Sequence, residues 1–147
     1  MLIATLALLS AAPAEAAPAP QPETFATVRA EDPERLAEAF FSAWSSSGTD
    51  AALEIVNNGF AAVAGAGAPA ERFRPNMEAA VRAYGKVQKW EKIKSEPLGT
   101  LLRRDTYLVQ HAHFVTIWKF VFGNTDEGWV IQYWEFSDQF GENWVAL

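Results

Sequence analysis

Cysteine is absent from this 147-residue chain, and its absence removes several classes of site. Without thiols the protein cannot form disulfides, zinc sites built on thiolates or a lipid anchor attached through cysteine. Nucleophilic catalysis lacks a further signature, because no Gly-x-Ser-x-Gly stretch occurs and Ser45-Ser46-Ser47 falls at a predicted helix end. Any chemistry of this protein must therefore come from other side chains.

Positive charge and histidine are also scarce. Twelve Lys and Arg stand against 18 Asp and Glu, which gives a formal net charge of −6. An acidic chain is repelled by phosphate backbones, so we expect no nucleic-acid partner. The only histidines are His111 and His113, so a zinc or iron site, which needs three or more protein ligands, would require a carboxylate such as Glu135 as its third ligand. We expect no metal ion and no other cofactor.

The N-terminus resembles an export signal. Leu2 to Ala12 is an apolar run that is too short to span a bilayer. Ala14 and Ala16 supply the small residues of a cleavage site, so we expect cleavage after Ala16, with Ala14 as the alternative. Residues 17–31 then form a Pro- and Ala-rich spacer. This organisation predicts a periplasmic or secreted protein with no membrane span once the signal, residues 1–16, is removed.

Residues 32–147 are predicted to form one domain in which helices precede strands. Asp32-Pro33 is typical of a helix start, and two further helices are expected before Gly85. Four strand-like runs follow, at about 86–96, 100–111, 115–122 and 129–138. This order predicts an α+β fold in which the helices pack on one face of a curved, mostly antiparallel four-stranded meander.

Four short stretches carry a resemblance to a known fold. They are Tyr84-Gly85-Lys86-Val87, Trp118-Lys119-Phe120-Val121-Phe122, Asp126-Glu127-Gly128-Trp129 and Phe136-Ser137-Asp138. With the order of helices and strands, they resemble the nuclear-transport-factor-two-like superfamily of cystatin-like α+β proteins over about residues 32–140, and within it small exported bacterial proteins. The resemblance implies a cone-shaped pocket between sheet and helices and often a dimer formed through the sheet. It implies no single activity, because this fold hosts enzymes, binding modules and assembly domains.

The last hairpin can be registered from its own pattern. Pairing Phe122 with Trp129 places Trp118 opposite Tyr133 and Thr116 opposite Glu135, on the face turned towards the helices. The opposite, outer face then shows a group of apolar side chains, Ile117, Val130, Trp134 and Phe136. We expect a homodimer through these residues. The alternatives are scattered surface apolar residues or cover from the C-terminal tail, residues 140–147.

The preceding hairpin separates the two histidines. A two-residue connection at His113-Phe114 pairs His111 with Thr116 and directs Tyr107 and His111 towards the helices. His113 then lies in the turn and faces solvent. The two imidazoles of the His-Ala-His stretch cannot converge on one ion in this arrangement.

These registers define the candidate site. His111 with Glu135 is a candidate acid–base pair, and the alternative is that both only hydrogen-bond Thr116 and backbone at a pocket rim. Trp118, Tyr133, Thr116 and Tyr107 are candidate ligand-binding residues, and the alternative is that the aromatic rings form core. We expect non-catalytic binding of a small apolar molecule or a protein partner between helices and sheet. The alternatives are a small isomerase- or lyase-type enzyme and a self-association domain.

Overall fold

The computed structural model describes residues 32–64, 69–126 and 128–143. The signal and the spacer predicted for residues 1–31 lie outside this range. The elements in chain order are α1 (Pro33–Ser47), α2 (Thr49–Ala64), a 3-10 helix (Pro69–Phe73), α3 (Arg74–Tyr84), β1 (Val87–Leu98), β2 (Leu102–His111), β3 (Val115–Thr125), β4 (Gly128–Ser137) and α4 (Phe140–Asn143). The predicted α+β class is confirmed. None of the helices in the described ranges is both long enough and apolar enough to cross a membrane.

Helix α1 begins and ends as its sequence predicts. The Asp32 carboxylate accepts a hydrogen bond from the Glu34 N–H at 3.0 Å, and Pro33 opens the helix. Gly48 ends it with a φ of 94°, a conformation that favours glycine. The buried face carries large side chains at helical spacing: Leu36, Phe40, Phe41 and Trp44. This face covers the aromatic layer of the sheet.

Helix α2 is longer than the sequence pattern predicts. Gly59 and the small, Gly-rich residues that follow predict a helix end near Gly59 and a loop over residues 61–70, but the helix continues to Ala64. The residues after Gly59 are mainly alanine, the strongest helix former, so one internal glycine does not stop the helix. Residues 65–68 of the expected loop lie outside the described range.

The four strands form one antiparallel sheet in the order β1-β2-β3-β4, and its two edge strands, β1 and β4, do not pair. The helices cover one face, here called the inner face. The core on that side contains Trp118, Phe120, Phe122 and Trp134 from the strands, packed on the apolar face of α1. The other face, here called the outer face, carries a mixture of apolar and charged side chains. The architecture is therefore two layers, helices on sheet.

The predicted register of the last hairpin is wrong. Phe122 pairs with Ile131, while Trp118 pairs with Phe136 rather than with Tyr133. The two strands stay paired as far as Asn124 and Thr125. Gln132 of β4 has no partner in β3 and forms a bulge opposite the step from Val121 to Phe122. One extra residue reverses every side chain beyond it.

The bulge exchanges the faces of the residues beyond Gln132. Trp134 is buried in the core beneath Phe40, and Phe136 packs against Trp118 with ring centroids 4.9 Å apart. Tyr133 and Glu135 turn to the outer face instead. Two of the four residues predicted to form a dimer surface thus belong to the inner layer.

The preceding hairpin is displaced by two residues from its predicted register. Gln110 pairs with Val115, which leaves a longer connection from His111 to Phe114. The backbone of this turn bonds elsewhere, because the Ala112 N–H donates to Lys86 and the His113 N–H donates to Tyr84. A shift of two residues keeps each side chain on its face. The predicted inner positions of Tyr107 and His111, and the exposed turn position of His113, are therefore confirmed.

Candidate functional site

His111 lies at the end of β2 on the inner face, where it is 2 % exposed. Its Nδ1 atom is 3.0 Å from the Gly85 carbonyl, which can only accept, so Nδ1 carries the proton. The Nε2 atom therefore accepts from the Thr116 hydroxyl at 3.1 Å. The indole N–H of Trp118 in turn donates to the Thr116 oxygen at 2.9 Å. This chain of bonds joins β2, β3 and the segment that follows α3.

Burial favours the neutral form of the His111 imidazole. Desolvation lowers the pKa of His111 from its ordinary value of 6.5, and the hydrogen bond to Gly85 opposes the shift only in part. The rings of Trp44 and Tyr84 pack edge-on against the imidazole, with centroids 5.8 and 5.7 Å away. Both ring nitrogens are engaged, so neither is free to take a proton from a substrate.

Glu135 does not join His111. It is exposed on the outer face, where it accepts a hydrogen bond from the Tyr133 hydroxyl at 3.2 Å and lies 3.9 Å from the Lys119 ammonium. Of the predicted cluster of His111, Thr116 and Glu135, only the contact between His111 and Thr116 is present. Thr116 contacts His111, and Glu135 lies on the other side of the sheet because of the bulge at Gln132.

The four predicted ligand-binding residues do not share one wall. Trp118, Thr116 and Tyr107 are buried on the inner face, whereas Tyr133 is 46 % exposed on the outer face. The Trp118 ring contacts five neighbouring rings, those of Phe40, Phe41, Trp44, Phe120 and Phe136. Trp118 therefore forms part of the packed core.

A buried polar group beside Tyr107 was not predicted from the sequence. Asp105 is fully buried on the inner face, and one carboxylate oxygen accepts from the Arg103 guanidinium at 2.8 Å. Its other oxygen and the Tyr107 hydroxyl have no hydrogen-bond partner among the described residues. Burial, then the Asp105 charge, raises the pKa of Tyr107, so the phenol stays protonated. Extending the alternation of β2 back from Tyr107 would have placed Asp105 and Arg103 on the inner face.

The outer face combines an apolar row with charges of both signs. Leu108, Ile117 and Val121 lie along its middle, and Val115 and Tyr133 are exposed beside them. Seven charged side chains surround this row: Lys89, Glu91, Lys94, Glu96, Arg104, Lys119 and Glu135. Of the residues predicted for the dimer surface, Ile117 and Val130 remain on this face, with Ile117 buried and Val130 half-buried.

Comparison of the chain with protein-family models, with curated proteins and with solved structures finds no match. The described part of the chain also contains no group of three or more His, Asp or Glu side chains arranged to hold a metal ion.

Proposed function

We propose that this protein is a non-catalytic binding domain that associates with a second copy of itself through the outer face of the sheet. The observation that carries the proposal is the composition of that face. Exposed Val115 and Tyr133 flank the apolar row formed by Leu108, Ile117 and Val121. Within this row Ile117 is buried and Leu108 and Val121 are half-buried, so the exposed apolar surface comes mainly from Val115 and Tyr133. Exposed apolar groups that continue a partly buried row are typical of an interaction site.

The charges on the outer face favour a second copy over another partner. Although the chain is acidic overall, this face carries four cations and three anions. A two-fold dimer brings each patch against itself, so a self-complementary face needs both signs. Lys89 and Glu91 fit this requirement, because neither forms an ion pair with any described residue and they lie two positions apart on one face. Each can reach its opposite in the partner copy.

The size of the face predicts a reversible dimer. Strands of 10 to 12 residues, spaced by roughly 4.8 Å, span a projected area of roughly 500 Å² per copy. Stable complexes bury about 800 Å² per partner, so we expect association at the weak end of specific interfaces.

Sedimentation velocity over a range of concentrations tests the proposal. We expect wild-type protein to shift from monomer to dimer as its concentration rises, and Tyr133→Asp to weaken association by about tenfold or more, because it places a charge in the interface. Leu101→Asp is the matched control, since Leu101 is 67 % exposed at the β1–β2 turn. A wild-type chain that stays monomeric, or equal effects of the two substitutions, would refute self-association.

The inner layer offers less support for the other two functions considered. An apolar ligand between helices and sheet would have to displace fully buried rings such as Trp118 and Phe120. An acid–base enzyme based on His111 would need a free ring nitrogen, and both are engaged. Binding through a surface is therefore the proposal that the contacts favour.

We also propose that the chain is exported, periplasmic or secreted, and that its fold is of the cystatin-like, nuclear-transport-factor-two-like kind. The apolar run Leu2 to Ala12 followed by small residues supports export. Helices packed on one face of a bulged antiparallel meander support the fold proposal. Mass spectrometry of the mature protein tests export: we expect it to begin at Ala17 or Glu15, and an intact Met1 would contradict the proposal.

A further inference from the structure

Charged side chains of alternating sign follow one another along the outer face of β1. They form a row, here called the β1 charge row, made in chain order of Lys89, Glu91, Lys94 and Glu96. Their partners in β2 alternate with the buried inner residues of that strand, and in the same order they are Gln110, Leu108, Thr106 and Arg104. The outer face of β1 therefore presents the charges plus, minus, plus and minus.

A bulge in β1 produces this row. Ile93 has no partner in β2, so the register shifts by one residue at this point. Strict alternation after Glu91 would bring Ile93 to the outer face, whereas the extra residue turns Lys94 and Glu96 there. The bulge also interrupts the free edge of β1, which disfavours pairing of two such edges side by side. A contact that uses the β1 charge row is therefore expected to form through the face of the sheet.

The two ends of the β1 charge row differ in their ion pairs. Lys94 and Arg104 both contact Glu96, at 3.4 and 2.7 Å, so this end holds two cations for one anion. At the other end, Glu91 and Lys89 form no ion pair with any described residue. The unpaired anion at one end thus complements the surplus cation at the other.

A row that alternates in sign matches itself only when the two copies run in opposite directions. A two-fold axis that lies in the interface and crosses the strands sets β1 on β1 of the second copy in this way. When the axis passes between Glu91 and Lys94, Glu91 faces Lys94 of the second copy. Lys89 then faces Glu96 of the second copy, so every member of the row lies opposite a charge of the other sign.

The same axis also matches apolar side chains on β3. Through β2, Val121 lies in line with Glu96, and Val115 lies in line with Lys89. An axis that sets Lys89 on Glu96 therefore sets Val115 on Val121 of the second copy. Val115 is exposed and Val121 is half-buried, so this contact removes apolar surface from water.

An axis parallel to the strands fits the charges less well. It would set β1 on β4 of the second copy and so bring Lys94 to Glu135, which already lies 3.9 Å from the Lys119 ammonium. Glu91 would face Ser137. Lys89 and Glu91 would then gain no partner of opposite sign.

We propose that two copies associate through their outer faces with β1 on β1 in opposite directions. Reciprocal ion pairs between Glu91 and Lys94, and between Lys89 and Glu96, set the register of the two sheets. This inference rests on the self-association proposed above and adds the symmetry of the dimer to it.

Charge-reversal variants test the arrangement. Glu91→Lys alone places two lysines opposite each other, and Lys94→Glu alone places two glutamates opposite each other. Because two-fold symmetry repeats the contact, we expect each variant to self-associate about tenfold more weakly than wild type. A mixed dimer of the two variants joins opposite charges at both contacts, so it should form within about threefold of the wild-type affinity.

Fluorescence-detected sedimentation of labelled Lys94→Glu protein with unlabelled partners measures the mixed dimer. The matched control is Glu54→Lys, which changes the net charge by the same amount at an exposed position on α2. Glu91→Lys should bind the labelled chain more tightly than Glu54→Lys does, and equal binding would overturn the proposed register. Tighter binding by Glu135→Lys than by Glu91→Lys would show that the axis runs along the strands instead.

Two further outcomes separate this inference from the proposal on which it rests. A wild-type chain that stays monomeric would refute self-association itself, whereas a wild-type dimer without rescue in the mixture would overturn only the arrangement. If Tyr133→Asp in both chains leaves the mixed dimer unchanged, the β1 edges pair side by side and the arrangement through the faces is wrong.

Discussion

Both ring nitrogens of His111 are engaged inside the domain, and this sets the direction in which pH acts on stability. Burial lowers the pKa of His111 below 6.5 in the folded protein, whereas the unfolded chain titrates near the ordinary value. Below about pH 6.5 the unfolded state therefore binds more protons than the folded state. The free energy of unfolding should fall as the pH falls, and the contribution of His111 should be complete above this range.

Chemical denaturation between about pH 7.5 and 5.5 measures this effect. We expect the free energy of unfolding of wild-type protein to decrease towards pH 5.5, and His111→Gln to show a shallower slope as well as lower stability at pH 7.5. His113→Gln, which changes the exposed turn histidine, should keep the wild-type slope. A wild-type slope that survives in His111→Gln would show that another group causes it.

Two histidines two residues apart in sequence end with different roles, and the reason is local. The alternation of β2 determines that His111 points inwards, and that could be inferred from Tyr107 and Val109. The partners of His111 could not, because Gly85 is 26 residues away and its carbonyl reaches the imidazole only after α3 has packed. Long-range contacts of this kind carry no local sequence signal.

The connection from α3 to β1 contacts both the β2–β3 turn and the His111 side chain. Gly85 has a φ of 84°, and a Cβ at this position would lie 2.7 Å from the Cβ of Ala112. Glycine is required twice here, once by the backbone and once by the close approach of the β2–β3 turn. Its carbonyl also holds His111.

Gly85→Ala should destabilise the protein more than Gly48→Ala. Gly48 has a similar φ of 94°, but a Cβ there meets no atom within 4 Å. Both substitutions incur backbone strain of about 1–3 kcal/mol. Only Gly85→Ala adds a steric clash, of roughly 1–3 kcal/mol. Thermal and urea denaturation of the two variants should show this difference, and equal losses would mean that the Ala112 turn moves aside freely.

The start of α1 and the positions of the four strands followed from local pattern, but the end of α2 and the register of the last hairpin did not. Alternation and turn residues located β3 and β4, whereas the bulge at Gln132 depends on contacts that these strands make with the rest of the fold. Gly123 leaves room for the Gln132 side chain, since a Cβ there would lie 2.1 Å from its amide nitrogen. Trp134 meanwhile gains a buried position against Phe73, with ring centroids 4.0 Å apart. Burial of that ring outweighs the regular ladder, and only the assembled fold reveals it.

At the scale of the whole molecule, the sheet separates two surfaces. The outer face carries the proposed dimer contact, whereas the inner face carries the aromatic core and the contacts of His111. Tyr133 and His111 share no hydrogen-bond partner. Effects at sites without shared partners add, so we expect a variant on one face to leave the property of the other face unchanged.

Cross-testing the variants examines this independence directly. Tyr133→Asp should reduce dimer formation and leave the slope of stability against pH as in wild type, because His111 and its partners lie on the other face. His111→Gln should lower stability and leave the sedimentation profile of the folded protein unchanged. A dimerisation constant that changes in His111→Gln would instead show that the two faces are coupled through the sheet.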